Sequence, residues 1–140
     1  MTKAKSPRAL KKTEYETLAA FRYALRSFLR FSEEAAARVG LTPQQHQALL
    51  AIKGFPGRDY VTNGELAEQL QLRHHSTVGL VNRLEAQGLL ARERGHGDKR
   101  KVYLTLTPRG TKLLERLSTT HQDELRQIAS QLSSLLERLT

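Results

Sequence analysis

Leu18, Phe21, Leu25, Phe28, Ser32, Ala35 and Val39 recur at alternating steps of three and four residues, and no other feature of the sequence restricts the fold so tightly. Such steps put side chains on one stripe of an α-helix. The spacing predicts a helix of about 25 residues from Glu14, stopped by Gly40. Leu125, Ile128, Leu132, Leu135 and Leu139 repeat the alternation near the other end. Stripes of this kind are buried only against other helices. An intramolecular pair and a dimer both satisfy them, and the residues alone do not choose.

Between the stripes, local signals mark shorter elements. Thr42-Pro43-Gln44-Gln45 offers a cap, a proline at the first helical position and a glutamine at the third. The helix it opens carries Leu49, Leu50 and Ile52 and ends at Gly54. Thr62-Asn63-Gly64-Glu65 is a second capping box, leading into Leu66, Ala67 and Leu70. LRHH reads as a tight connection before a helix STVGLVNRLEAQG, with Val78, Val81 and Leu84 on its inner face. Leu89 to Arg94 and Lys101 to Leu106 read as two strands around the turn GHGD. Thr107-Pro108 caps the next helix, and two helices are expected from there to the end. The expected fold class is mainly α with a small β-hairpin (α+β), residues 13–140 forming one domain.

Charge is unevenly spread. The 140 residues carry a net +9. Residues 1–12 hold five basic and no acidic residues and read as a disordered basic tail; residues 73–109 hold eight basic against three acidic. A basic block of this kind suits a polyphosphate, where counterion release drives binding. No cysteine is present, which excludes disulfides and thiol sensing of oxidants and fits a cytoplasmic protein. No apolar run reaches the ~18 residues a membrane span needs. MTKAKSPRALKK has no apolar core and is not a secretory signal.

The central block has the layout of a DNA reader. The second helix of a helix-turn-helix lies in the major groove with its first turns on base edges. The polar face of STVGLVNRLEAQG offers Ser76, Thr77, Asn82 and Arg83, with His74 and His75 just ahead. Gly79 costs about 1 kcal/mol against alanine in a helix and is expected either to serve a close approach or to be neutral. The hairpin would carry Arg94, His96, Asp98, Lys99, Arg100 and Lys101 at its tip. A small, glycine-rich, cationic tip suits a narrow minor groove. Asp98 is expected to orient a nearby guanidinium.

These residues resemble a family. ELAEQLQLRHHSTVGLVNRLEAQGLLARERGHGDKRKVYLTLTPRG is similar to the winged helix-turn-helix of the MarR-type transcriptional regulators, including Asp98-Lys99-Arg100 as the wing's D-x-R. LTPQQHQALLAI resembles the family's preceding helix. The resemblance implies a winged helix-turn-helix at about 42–107, flanked by dimerisation helices at about 14–39 and 108–139. It implies a homodimeric repressor on pseudo-palindromic double-stranded DNA, released by a small phenolic or anionic effector. Arg100 would enter the minor groove with Asp98 as support, and Ser76 and Thr77 the major groove. Gln71 stands where the family's turn often has glycine. The family's effector pocket would draw on Arg26, Phe28, Phe31 and His46, although a core role explains Phe28 as well.

Catalysis and metal binding find little support. The five histidines lack paired ligand spacing. Ser76, His75 and Asp98 have no strand-to-helix elbow around the serine. No enzyme activity, metal or cofactor is expected. The alternative function is a basic architectural DNA- or RNA-binding protein without an effector.

Overall fold

Thr42 and Thr62 close their helices as their spacing predicts. A computed structural model of the protein describes residues 7–95, 97 and 100–140. Helix α2 (Pro43–Lys53) begins with Thr42 Oγ1 accepting from Gln45 N–H at 3.1 Å while Gln45 Oε1 accepts from Thr42 N–H at 3.0 Å. Helix α3 (Asn63–Leu70) repeats the pair with Thr62 and Glu65 at 3.2 and 2.9 Å. Helix α1 spans Lys12–Arg38 and helix α4 His74–Ala86. The two histidines of LRHH therefore belong to α4, which starts two residues earlier than expected, after Arg73.

The last helix, α5 (Pro108–Arg138), is one element of 31 residues and not the expected two. In its polar middle the Thr119 and Thr120 hydroxyls donate to the carbonyls of Glu115 and Arg116 at 3.0 and 3.1 Å, so these side chains are satisfied within the helix. Its start is as expected: Thr107 Oγ1 accepts from Gly110 N–H at 3.0 Å.

Three strands form an antiparallel sheet in the order β1-β3-β2: β1 (Tyr60–Val61), β2 (Leu90–Arg94) and β3 (Val102–Leu106). The strand β1 was not expected, since two residues carry no readable alternation. Its register puts Val61 opposite Leu104 and Tyr60 opposite Thr105. Arg92 also pairs with Leu104, so Arg92, Leu104 and Val61 share the inner side of the sheet.

The chain divides into two units, Ser32–His121 and residues 1–31 with 122–140. The first holds the main core. Leu49, Ile52, Leu66, Leu80, Val81, Leu84 and Leu104 are all at most 1% exposed there. Burying each such side chain contributes roughly 1.5–3 kcal/mol. The second unit buries little: Thr17, Ala24 and Leu135 are covered, whereas Leu18, Leu25, Leu125 and Leu139, four members of the two stripes, stay 39–46% exposed. Residues 1–6 of the expected tail lie outside the described residues; Arg8 Nη2 donates to Glu14 Oε2 at 3.0 Å. Among the described residues, no helix is long and apolar enough to cross a membrane.

Candidate nucleic-acid interface

The inner face of α4 is Thr77, Leu80, Val81 and Leu84, all buried, with Val78 only half-buried. This corrects the expected place of Thr77 on the polar face. Its side chain is fully buried and its hydroxyl donates to the Arg73 carbonyl at 3.1 Å. The core accepts a threonine there because its one polar atom is satisfied within the same turn.

The remaining expected residues of α4 are exposed: His74, His75, Ser76, Asn82 and Arg83. Their spacing puts His75, Ser76, Asn82 and Arg83 with Gly79 on one stripe. At Gly79 an added Cβ would meet only Arg83 Nη1, at 3.8 Å, so no close packing within the protein requires glycine there. Arg83 folds back along the helix over the space that Gly79 leaves. The start of α4 differs from the starts of α2 and α3. Arg73 occupies the N-cap and makes no side-chain cap hydrogen bond, and the first turn has no acidic residue. The first-turn N–H groups and the positive end of the helix dipole therefore meet no capping side chain.

Arg92 links the sheet to this helix. Its guanidinium donates to Glu85 Oε1 at 2.5 Å and to Asn82 Oδ1 at 2.6 Å. Asn82 thus has its carbonyl occupied and its amide N–H₂ left to donate. Arg92, Arg94, Arg100 and Lys101 around the hairpin turn are all exposed, and Arg92 is in addition tied to Glu85 and Asn82. His96, Asp98 and Lys99 lie outside the described residues, and with them the expected support of Arg100 by Asp98. Pairing continues past the strands, with Gly95 N–H donating to the Lys101 carbonyl at 2.9 Å. A Cβ on Gly95 would collide with the Tyr103 ring, so the neck of the hairpin requires glycine. Val102 is 38% exposed although it shares parity with the buried Leu104, because the hairpin has left the core by that point.

Sequence reasoning missed Arg58. Its guanidinium lies 4.5 Å from the Phe55 ring and 4.9 Å from the Tyr60 ring and is ion-paired with Glu65. Tyr60 in turn meets Tyr103 edge-on at 4.7 Å. Burial alone would raise the Glu65 carboxyl, but hydrogen bonds from the Thr62 N–H and from Arg58 outweigh it and hold the group below its ordinary range. No local spacing signals this cluster; the register of β1 on β3 creates it.

The expected effector residues are divided between the two units. Arg26 is exposed and Phe28 and Phe31 are half-buried, all in the unit of residues 1–31 and 122–140. His46 lies in the other unit and is 2% exposed, packed on His121 in the interior. Also in that unit, an open cavity of about 610 Å³ has Val39, Pro108 and Leu113 as apolar lining and Arg109, Lys112 and Arg116 as cations.

A family model described as MarR family matches residues 39–101. The homoprotocatechuate degradative operon repressor of Escherichia coli is 31% identical over 97 residues, 69% of this chain and 64% of that protein. The chain thus spans slightly less than two thirds of that relative's length. The organic hydroperoxide resistance transcriptional regulator of Bacillus subtilis (strain 168) is 31% identical over 112 residues, covering 73% of this chain and 74% of that one. In fold, the chain is similar to a mutant of S. aureus MepR bound to an oligodeoxyribonucleotide, with a TM-score of 0.69 at 22% identity, covering 90% of this chain and 98% of that one.

Proposed function

Because the chain belongs to the MarR family of transcriptional regulators, and its relatives are regulators and not enzymes, we propose that it is a repressor that binds double-stranded DNA as a homodimer. The observation that carries this reading is the exposed stripe of α4, His75, Ser76, Asn82 and Arg83, running from a helix start with no side-chain cap. An uncapped, cation-flanked N-terminus favours a phosphate, and the stripe beyond it offers donors to base edges. Asn82, its carbonyl engaged by Arg92, would donate to an acceptor such as a purine N7. Arg94, Arg100 and Lys101 would lie along a neighbouring minor groove.

The uncovered side chains Leu18, Leu25, Leu125 and Leu139 support dimerisation, since a second copy supplies the helices these stripes lack. Two copies then read two half-sites about one helical turn apart. An effector would be a small phenolic or anionic compound. The cavity beside Arg109, Lys112 and Arg116 suits it better than the covered His46. One relative is named for organic hydroperoxide resistance, but this sequence has no cysteine, so a thiol-based response is not available to it. A regulator of this kind works where the chromosome is, in the cytoplasm.

Selection of bound fragments from random DNA, with the mass of the free protein measured alongside, tests the reading. A two-fold symmetric site and a doubled mass are expected. Binding without sequence preference would instead favour the architectural alternative. Arg100→Ala should weaken binding to every sequence and lower the salt slope by about one. An unchanged affinity would remove the wing from the interface.

A further inference from the structure

His46 and His121 form a buried pair. They are 2% and 9% exposed, with ring centroids 4.8 Å apart. His121 Nδ1 lies 2.6 Å from the Leu117 carbonyl, which only accepts, so Nδ1 carries the proton and donates. His121 Nε2 is 2.8 Å from Ser32 Oγ. In the neutral ring Nε2 accepts from that hydroxyl; in the charged ring it donates, and the hydroxyl turns to accept. His46 has no such provision, because its Nδ1 is buried without a hydrogen-bond partner. Charging His46 therefore puts a proton into a buried imidazole whose Nδ1 has no partner to receive it.

Position makes this pair more than a packing detail. The chain passes between its two units at Phe31–Ser32 on α1 and at His121–Gln122 on α5. Ser32 and His121 are thus the first and last residues of the unit that carries α4, and one hydrogen bond ties the two departing helices together. His46 brings in α2, which packs against α3 and α4.

We propose that Ser32, His46 and His121 form a proton-sensitive clamp on the helices leaving the DNA-binding unit, and that its release in acid weakens DNA binding. The link to DNA rests on the repressor function proposed for this chain. His46 is held below the ordinary imidazole range, first by burial and then by the charge of His121. The folded chain therefore binds fewer protons there than the unfolded chain. This contribution is complete above the ordinary imidazole value of 6.5 and is lost as the pH falls below it. On α5, Glu115, Arg116 and Asp123 are exposed and Glu124, three residues on from His121, is half-buried; the groups on the other elements are engaged elsewhere or exposed. On α1, Glu33 and Glu34 are exposed; on α2, Lys53 pairs with Asp59; on α3, Glu65 pairs with Arg58; on α4, Glu85 pairs with Arg92.

The test compares the full chain with His46→Phe, which keeps a ring on His121 but cannot take a proton. The selected DNA site is titrated with each at about pH 7.5 and about pH 5.5. The wild type should lose at least about fivefold more affinity on acidification than the variant, a coupling within the usual range. Because the two proteins share every other histidine, their ratio isolates His46. Equal losses would overturn the proposal. Histidine ring NMR of the wild type gives a second reading that needs neither DNA nor the variant. The His46 ring should stay neutral below the pH at which exposed imidazoles charge, and its protonation should coincide with loss of the Ser32–His121 bond. Protonation of His46 with the native spectrum intact would also overturn it. If no DNA is bound at any pH, the function fails while the NMR result still decides the clamp.

Discussion

Three short helices in one unit begin in two different ways. At α2 and α3 a threonine and the residue three positions on close the N-terminus with reciprocal hydrogen bonds. At α4 an arginine stands at the cap with no side-chain bond, and the two histidines and serine after it are all exposed. A cap contributes roughly 1 kcal/mol, so its absence at α4 leaves stability unclaimed. On the function proposed for the chain, the difference would separate helices that only support from the helix that presents: the former satisfy their own N–H groups, and the latter would keep them for a phosphate.

The strongest way to break this contrast is to close α4. Arg73 already has the extended backbone of a cap residue, with φ −70° and ψ 153°. Arg73→Asp should therefore raise stability by about 0.5–1 kcal/mol in urea unfolding. The same change should weaken DNA binding about tenfold or more at moderate salt, since a cation beside phosphate becomes an anion. Tighter or unchanged binding would refute the contrast. Opening a supporting helix is the converse. Thr62→Ala should cost about 1–2 kcal/mol of stability through lost capping at α3, with the affinity of the folded fraction unchanged.

Two smaller changes sharpen the picture around α4. Gln71, between α3 and α4, has a left-handed backbone with φ 55°, as its place in the turn implied, and is the only described non-glycine residue with positive φ. Gln71→Gly should raise stability by roughly 0.5–1 kcal/mol, the relief of strain being offset in part by a more flexible unfolded chain. A loss of stability would show that the Gln71 side chain, whose Nε2 donates to the Glu68 carbonyl at 2.9 Å, matters more than its backbone. Gly79→Ala should add up to about 1 kcal/mol of helix stability, because no packed neighbour opposes a methyl group there. If affinity falls at the same time, the methyl obstructs the approach of DNA; if it does not, Gly79 is neutral.

Much of the fold was legible because its signals are local. Thr42 with Gln45, Thr62 with Glu65, and Thr107 with Gly110 each act within three residues, and each bond forms as the spacing implies. The position of α4 and the charge of the hairpin were equally open to reading. The site was legible less completely. Thr77 sits one position from Ser76, and periodicity fixes the phase of a buried face only to about a residue when Val78 competes with Leu80 for the inside. The register with Leu104 turns Arg92 toward Asn82 and Glu85, a contact that no local spacing signals. Arg58 and the His46–His121 pair join residues far apart in the chain, which no spacing rule links.

From its sequence alone, this protein was bound to form capped helices around a basic hairpin, since caps, periodicity and charge act over a few residues and need no partner. The tertiary structure decided how far α4 is rotated, that a two-residue strand joins the sheet, and which charges are held within the protein. Those outcomes depend on contacts between distant segments, where the packing of Leu49, Leu66, Leu80 and Leu104 outweighs any local preference.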